Sequence, residues 1–319
     1  MIVTSRLQKS QSLVALLIMC VLLSIVTDAF LSADNIWNIL RQVSINMCLS
    51  VGMTLVIITA GIDLSVGAIL AFSGAIAAGL IKYGIELGVL DTWVGFTVFG
   101  AVLAALICGA VLGFFNGWVI TKFTVPPFVA TLAMLTMARG MSYLYTDGKP
   151  ISNLGADFEY IGSAWLLGIP LPVWISAVVV ALFVLITKKT ALGRFIYAIG
   201  GNEKAAFLSG VPVKKVKMIV YALSGAMAAL GGVLVTSRLN SAQPNAGMSY
   251  ELDAIAAIVI GGTSLSGGKG TIMGTVLGVL LIGVLNNGLV LLNVSPFWQQ
   301  VVKGMVILLA VIVDKSNKK

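Results

Sequence analysis

The sequence contains no histidine, only three cysteines and few charges. Charged residues make up 10% of its 319 residues, well below the roughly 25% that is usual in soluble domains. Cys20, Cys48 and Cys108 each lie within an apolar run, so we expect three small buried side chains and no disulfide or redox pair. With no histidine and no Cys-x-x-Cys pair, the residue types exclude a zinc or haem site, and we expect the chain to bind no cofactor or metal.

Long apolar runs make up most of the sequence, and 59% of its residues are hydrophobic. A run of roughly 20 apolar residues is long enough to cross a bilayer as a helix. The pattern therefore predicts an all-α, polytopic membrane protein, with residues 1–319 forming a single integral domain and about ten transmembrane helices. The predicted segments are 12–30, 36–59, 64–82, 93–121, 126–146, 165–187, 214–236, 252–262, 270–292 and 296–313, of which the eighth is short and broken.

The basic residues are distributed unevenly among the connecting segments. The segment 188–217 alone contains Lys188, Lys189, Arg194, Lys204 and three further lysines. Since Lys and Arg are enriched in cytoplasmic loops, this asymmetry places that segment and both chain termini in the cytoplasm. The net charge of +8 is then a property of the cytoplasmic face, and it requires no nucleic-acid partner.

The middle of the segment 188–217 is typical of a short helix with marked ends. Asn202 is a favourable N-cap and Glu203 lies in the first turn, where the helix dipole favours an acid. Gly210 is placed to end the helix, and Pro212 prevents its continuation. Such a segment could simply fix the topology, but a helix so well delimited favours docking on a cytoplasmic partner. The residues expected to form this docking element are Gly200, Gly201, Asn202, Glu203, Ala205, Ala206, Leu208 and Gly210, with Gly200 and Gly201 letting the chain turn before the helix.

Two charged residues lie within or beside apolar runs. Asp63, in GIDLSVG, either accepts backbone N–H bonds at the start of a helix or acts in a gate or pathway. Arg139 is expected to face the interior of the bundle and to need a partner, because a charge in the membrane is costly. Both are candidates for a functional role.

A Gly/Ser-rich stretch follows the short eighth helix, in GGTSLSGGKG. Broken helices of this kind line cavities in transporters, whereas small residues also allow close helix packing, and both interpretations stand. The phosphate-loop spacing is absent because Lys269 is followed by Gly270, so no nucleotide hydrolysis is predicted for this chain.

A weak internal match adds to the transporter interpretation. The stretch NGWVITKFTVPPF followed by RGM, within 116–141, is similar to NGLVLLNVSPF followed by KGM, within 287–305. In the predicted topology the two stretches cross the membrane in opposite directions. They are either the two halves of an inverted repeat or a chance similarity.

Several longer motifs carry a resemblance to a known family. GIDLSVG, YAIGGNEKAAFLSGV, YELDAIAAIVIGGTSLSGGKGT and the NNGL and WQQVVKG stretches occur in this order between residues 35 and 314. Together they resemble the permease subunit of bacterial sugar importers of the ATP-binding-cassette (ABC) class. GIDLSVG, SAQPNAG and GGTSLSGGKG are most similar to the ribose-type branch, whose relatives include permeases for galactose, xylose, arabinose and a quorum-signalling sugar.

The resemblance implies an assembly in the bacterial inner membrane. Its expected partners are a cytoplasmic ATPase subunit that holds ATP and Mg²⁺, a periplasmic sugar-binding protein, a second permease copy in a homodimer, and membrane lipid. The segment 188–217 resembles the coupling segment that docks on the ATPase, so the chain itself is expected not to be an enzyme. The outer loops 147–160 and 238–251 would face the binding protein.

The sugar pathway is expected to be lined by polar residues of the apolar segments. The candidates for the pathway or its gate are Asn46, Ser50, Asp63, Ser65, Arg139, Asn286 and Asn287. An ion-coupled secondary transporter of a small polar solute remains the main alternative, with Asp63 and Arg139 as its embedded charges. A membrane enzyme or a scaffold without transport is less consistent with these motifs.

Overall fold

The computed structural model describes residues 2–87 and 92–316, and it is built almost entirely of helices. The thirteen helices among these residues are α1 (Ile2–Val26), α2 (Ala33–Ile58), α3 (Val66–Tyr83), α4 (Val98–Phe123), α5 (Pro127–Thr146), α6 (Ala156–Ser163), α7 (Leu171–Lys189), α8 (Ala191–Gly201), α9 (Glu203–Leu208), α10 (Val213–Leu239), α11 (Tyr250–Ile260), α12 (Ile272–Leu291) and α13 (Pro296–Ser316). The prediction of an all-α fold is confirmed.

Each of the ten predicted segments coincides with one of the longer helices or with α11. Six helices of the described chain are long and apolar enough to cross a membrane, namely Ala33–Ile58, Val66–Tyr83, Val98–Phe123, Leu171–Lys189, Val213–Leu239 and Ile272–Leu291. The exact number of ten crossings stays a prediction. The predicted short eighth helix is α11, which has 11 residues.

Short strands in the connecting segments were not predicted. They form three antiparallel pairs, β1 (Ile85–Leu87) with β2 (Thr92–Val94), β3 (Ile151–Ser152) with β6 (Ser241–Ala242), and β4 (Trp165–Leu166) with β5 (Ile169–Pro170). Each strand has only two or three residues, below the length that a hydrophobic alternation can reveal.

The chain divides into two compact units. The first contains the residues up to Gly61, Ser176–Val213 and the residues from Leu252 onward, and the second contains Ile62–Ile175 and Lys214–Glu251. In the first unit, α12 packs against α1 and α2. In the second, α3 packs against α4 and α5.

Small residues allow close helix packing in both units. In the second unit, a Cβ added at Gly109, Gly113 or Gly117 of α4 would overlap atoms of α10. In the first, Gly261 and Gly274 approach each other in the same way. Because lipid tails are as apolar as leucine, close van der Waals contact of this kind is a main source of association between membrane helices.

Candidate functional site

The helix predicted within the segment 188–217 is α9, and its ends are built as expected. The Asn202 Oδ1 atom accepts a hydrogen bond of 3.0 Å from the Ala205 N–H. At the other end Gly210 has a φ of 83°, and the Val211 N–H donates to the Ala206 carbonyl at 3.1 Å. Both caps satisfy backbone groups that a six-residue helix would otherwise expose, so the local sequence fixes this short helix.

The exposed surface of α9 differs in part from the expected one. Leu208 is 83% exposed and Phe207 is 68% exposed. Ala206, expected to contact a partner, is only 5% exposed and packs inward, which corrects its assignment. Phe207 was not predicted as a contact residue. The signal for it was that Phe207 and Leu208 are consecutive apolar residues at the end of a capped helix that begins with two charged residues. The outward tip of α9 is therefore apolar.

Gly200 and Gly201 belong to the last turn of α8, so they do not form the turn that was expected. A Cβ at Gly200 would overlap the carbonyl oxygen of Ile58, at the end of α2. Gly200 is therefore required for close contact between α8 and α2. A Cβ at Gly201 would meet nothing within 4 Å.

The Gly/Ser-rich loop 261–271 lies against α8 in the first unit. The Gly268 N–H donates to the Ile58 carbonyl at 2.9 Å, and the Tyr197 hydroxyl donates to the Gly270 carbonyl at 2.8 Å. Burial raises the pKa of Tyr197 above its ordinary value. Of the two interpretations of this loop, these contacts favour packing, since they join α8, the end of α2 and the start of α12.

Asp63 and Ser65 come together in the second unit. The carboxylate of Asp63 accepts hydrogen bonds from the Ser65 hydroxyl at 2.6 Å, from the Ser65 N–H at 3.0 Å and from the Ser224 hydroxyl at 2.9 Å. Asn116 donates to the Ser65 hydroxyl oxygen at 3.0 Å. All four side chains are at most 1% exposed. We call this group the Asp63 cluster; Ser224 and Asn116 were missed because nothing in sequence links them to Asp63.

Arg139 finds its partners in the connection between α10 and α11, within the second unit. Its Nη1 atom donates to the Pro244 carbonyl at 2.8 Å and to the Ala246 carbonyl at 2.7 Å. The expected partner of Arg139 is thus backbone of the SAQPNAG stretch. This pairing could not be read from the sequence, because a carbonyl carries no residue signature.

The remaining pathway candidates lie on α2 and α12 of the first unit. On α2, the Asn46 Oδ1 and Ser50 Oγ atoms are buried and have no hydrogen-bond partner among the described residues. On α12, the Asn287 and Asn35 amides bond each other in both directions, at 2.7 and 3.1 Å. Asn287 therefore ties α12 to α2.

Asn286 lies beside a buried ion pair. Its amide nitrogen donates to the Asp253 carboxylate at 3.4 Å, and the Lys303 ammonium bonds the same oxygen at 2.9 Å. Asp253 on α11 and Lys303 on α13 were missed as site residues, although each is a charge within an apolar run. Across the described residues, no three His, Cys, Asp or Glu side chains come close enough to hold a metal ion.

The six long apolar helices of the described residues, with polar side chains buried among them, define a polytopic membrane protein. Residues 35–311 match the family of proteins described as the permease component of the branched-chain amino acid transport system. The chain belongs to this family of transport permeases. No solved structure matches it significantly.

Curated relatives are similar along nearly the whole chain. The ribose import permease protein of Bacillus subtilis (strain 168) is 52% identical, over 98% of this chain and 94% of that protein. The ribose import permease protein of Escherichia coli (strain K12) is 49% identical, over 98% and 95%. The xylose transport system permease protein of Haemophilus influenzae is 36% identical, over 98% of each. The resemblance to sugar permeases is confirmed.

Proposed function

We propose that this chain is the membrane-spanning permease of an ABC importer that passes ribose to the cytoplasm. The observation that carries the proposal is the identity of about half of all residues, over almost the full length, to permeases named for ribose import. The relatives named for xylose are less similar, at 35–36% identity. Xylose, galactose, arabinose and a quorum-signalling sugar are therefore the substrates to compare with ribose.

The chain is proposed to act with partners that supply energy and substrate. A separate cytoplasmic ATPase holds ATP and Mg²⁺, and a periplasmic binding protein delivers the sugar to the outer loops. A second copy completes the pathway in the inner membrane, surrounded by lipid, with both termini in the cytoplasm. The chain itself holds no cofactor in this proposal.

The apolar tip of α9 is the proposed contact with the ATPase. Phe207 and Leu208 project from a rigidly capped helix, and exposed apolar side chains beside polar ones fit a groove on another protein. Movement of α9 would reach α8, and then the end of α2 and the loop 261–271, through the Gly200 contact and the Tyr197 hydrogen bond. This route connects the cytoplasmic face with α11 and α12.

The test is reconstitution of the chain with its ATPase and binding protein, followed by uptake of labelled ribose. We expect uptake only with ATP, and Leu208→Asp should abolish both ATPase co-purification and uptake. Leu167→Asp is the matched control, because Leu167 is an equally exposed leucine, at 85%, and belongs to the β4–β5 hairpin instead of α9. Uptake driven by a proton or sodium gradient without ATP would replace this proposal with the ion-coupled alternative.

A further inference from the structure

The helical path of the chain is interrupted between α10 and α11. Ser241 and Ala242 form the short strand β6, and residues 244–249 make successive turns before α11 begins at Tyr250. Gly247 and Ser249 have φ values of 68° and 66°, in the left-handed region. We call residues 241–249 the unwound segment, and it contains the SAQPNAG motif.

The unwound segment runs alongside α3, a helix long and apolar enough to span the membrane. Its start, Ala242, lies in the same buried cluster as Ala75 and Ala78. Further on, Gly247 packs against Gly67 and Leu70. At a rise of about 1.5 Å per residue, Gly67 lies about 12–16 Å along the helix from Ala75 and Ala78. The segment therefore descends to the depth of the first turn of α3.

Some residues of the unwound segment are buried or held by hydrogen bonds, and others are exposed. The carbonyls of Pro244 and Ala246 receive hydrogen bonds from Arg139, and residues 242, 244 and 247 are buried. By contrast, Gln243, Asn245 and Met248 are exposed. Two amide side chains of the unwound segment are thus exposed, while the backbone that carries them is held by Arg139.

Non-helical backbone is tolerated at membrane depth only where it is buried in protein or lines a water-filled cavity. An amide offers two donors and one acceptor without a net charge, which matches the hydroxyl groups of a neutral sugar. We propose that Gln243 and Asn245 line the sugar pathway and hydrogen-bond the hydroxyls of the passing sugar. Arg139 is then a positioning residue, which holds the backbone that presents both amides. This inference rests on the proposed sugar transport.

Water access along the pathway is tested first, in membrane vesicles that contain the permease and its ATPase. Asn245→Cys is introduced after Cys20, Cys48 and Cys108 have been replaced by Ala, and it is exposed to a membrane-impermeant charged maleimide. We expect labelling of Asn245→Cys, and slower labelling when ribose and the binding protein are present. Ala242→Cys, buried, and Leu103→Cys, exposed on the apolar helix α4, are the controls and should stay unlabelled.

Transport then tests the role of the amides. We expect Gln243→Ala and Asn245→Ala each to lower the maximal rate of ribose uptake about three- to tenfold, the effect of one neutral hydrogen bond. The rate ratio between ribose and xylose should change as well, while ATPase co-purification stays normal. Ser163→Ala, which removes an exposed hydroxyl bonded only within its own helix, should leave the rate unchanged.

Three outcomes would overturn the inference: Asn245→Cys reacting only with a lipid-soluble maleimide, a disulfide forming between two copies through Asn245→Cys, or both alanine variants transporting ribose at the normal rate and selectivity. The failure of the proposed function looks different. In that case the unaltered chain would take up no ribose with ATP, whereas labelling without sugar would still decide whether the segment faces water.

Discussion

Two buried carboxylates, one in each unit, are stabilised in different ways. Asp63 in the second unit is fully buried and receives its hydrogen bonds from the neutral groups of Ser65 and Ser224. Asp253 in the first unit is 4% exposed and receives the Lys303 ammonium at 2.9 Å. The first carboxylate is stabilised by dipoles, the second by an opposite charge.

The different partners of Asp63 and Asp253 indicate different structural roles for the two carboxylates. The partners of Asp63 are short side chains and a backbone group, which lose little rotamer freedom and keep one geometry. Lys303 has a long flexible side chain that is 25% exposed, so its ammonium can exchange Asp253 for water at moderate cost. We infer that the Asp63 cluster is a fixed joint of α3, α4 and α10, whereas the Asp253–Lys303 pair is a separable tie between α11 and α13.

The largest effect is expected for Asp63→Ala. Removal of the carboxylate leaves two hydroxyls and one N–H buried without their acceptor, and each such group costs roughly 1–3 kcal/mol. We therefore expect the free energy of unfolding to fall by about 3–5 kcal/mol. Thermal unfolding of the purified chain in mild detergent would measure this loss.

Asp63→Asn is the matched control, since it keeps the shape and one oxygen acceptor. It should lose less than half as much stability as Asp63→Ala. Equal stability of Asp63→Ala and the unaltered chain would contradict the fixed joint. If Asp63→Asn is stable but fails in ribose uptake, Asp63 has the gate role predicted from the sequence.

A smaller effect is expected for Lys303→Met, which leaves the Asp253 carboxylate buried without its cation. Breaking a fully buried pair costs about 3–5 kcal/mol, and water near the partly exposed Lys303 should reduce this to about 2 kcal/mol. Asp253→Asn should cost less, because Lys303 can turn to solvent. The same unfolding measurement applies.

The double variant Asp253→Asn with Lys303→Met decides whether the two residues act as a pair. It should be more stable than Lys303→Met alone, because no buried charge is then left unpaired. Additive losses would show that the tie between α11 and α13 does not depend on this ion pair.

The sequence predicted the helices and the ends of α9 because these depend on local chemistry. Apolar runs set the positions of the long helices, and Asn202 and Gly210 cap α9 wherever it lies. The internal match also has a local structural basis, since Thr124 and Asn293 both adopt positive φ values between a long helix and a helix with proline in its first turn. The opposite direction of these two stretches across the membrane stays a prediction.

The sites were harder to predict because their partners are distant in sequence. Ser224 lies 161 residues after Asp63, and serines are common in membrane helices, so the residue type alone gives no signal. Arg139 bonds carbonyl groups, which every residue has. The depth of the unwound segment depends on the contact between Gly67 and Gly247, and a glycine in an apolar chain serves equally well in the close packing of two helices.

Ser224→Ala isolates one bond of the fixed joint. It removes a single neutral donor to Asp63, leaving the two bonds from Ser65, so the expected loss in free energy of unfolding is about 1 kcal/mol. Unfolding in detergent should show a shift clearly smaller than that of Asp63→Ala. A loss as large as that of Asp63→Ala would mean that Ser224 stabilises α10 through some other contact.

The smallest effect is expected for a third carboxylate, which lies outside the helix interior. Asp147 pairs with Lys149 at 3.9 Å, and the side chains are 95% and 82% exposed. Water solvates both charges, so the pair adds little to stability, and Asp147→Asn should leave the unfolding temperature unchanged within error. Because Asp147 has a φ of 51°, which asparagine also tolerates, the backbone stays unstrained. A clear loss from Asp147→Asn would show that even an exposed acid matters in this chain, and burial would then not explain the larger losses expected at Asp63 and at the Asp253–Lys303 pair.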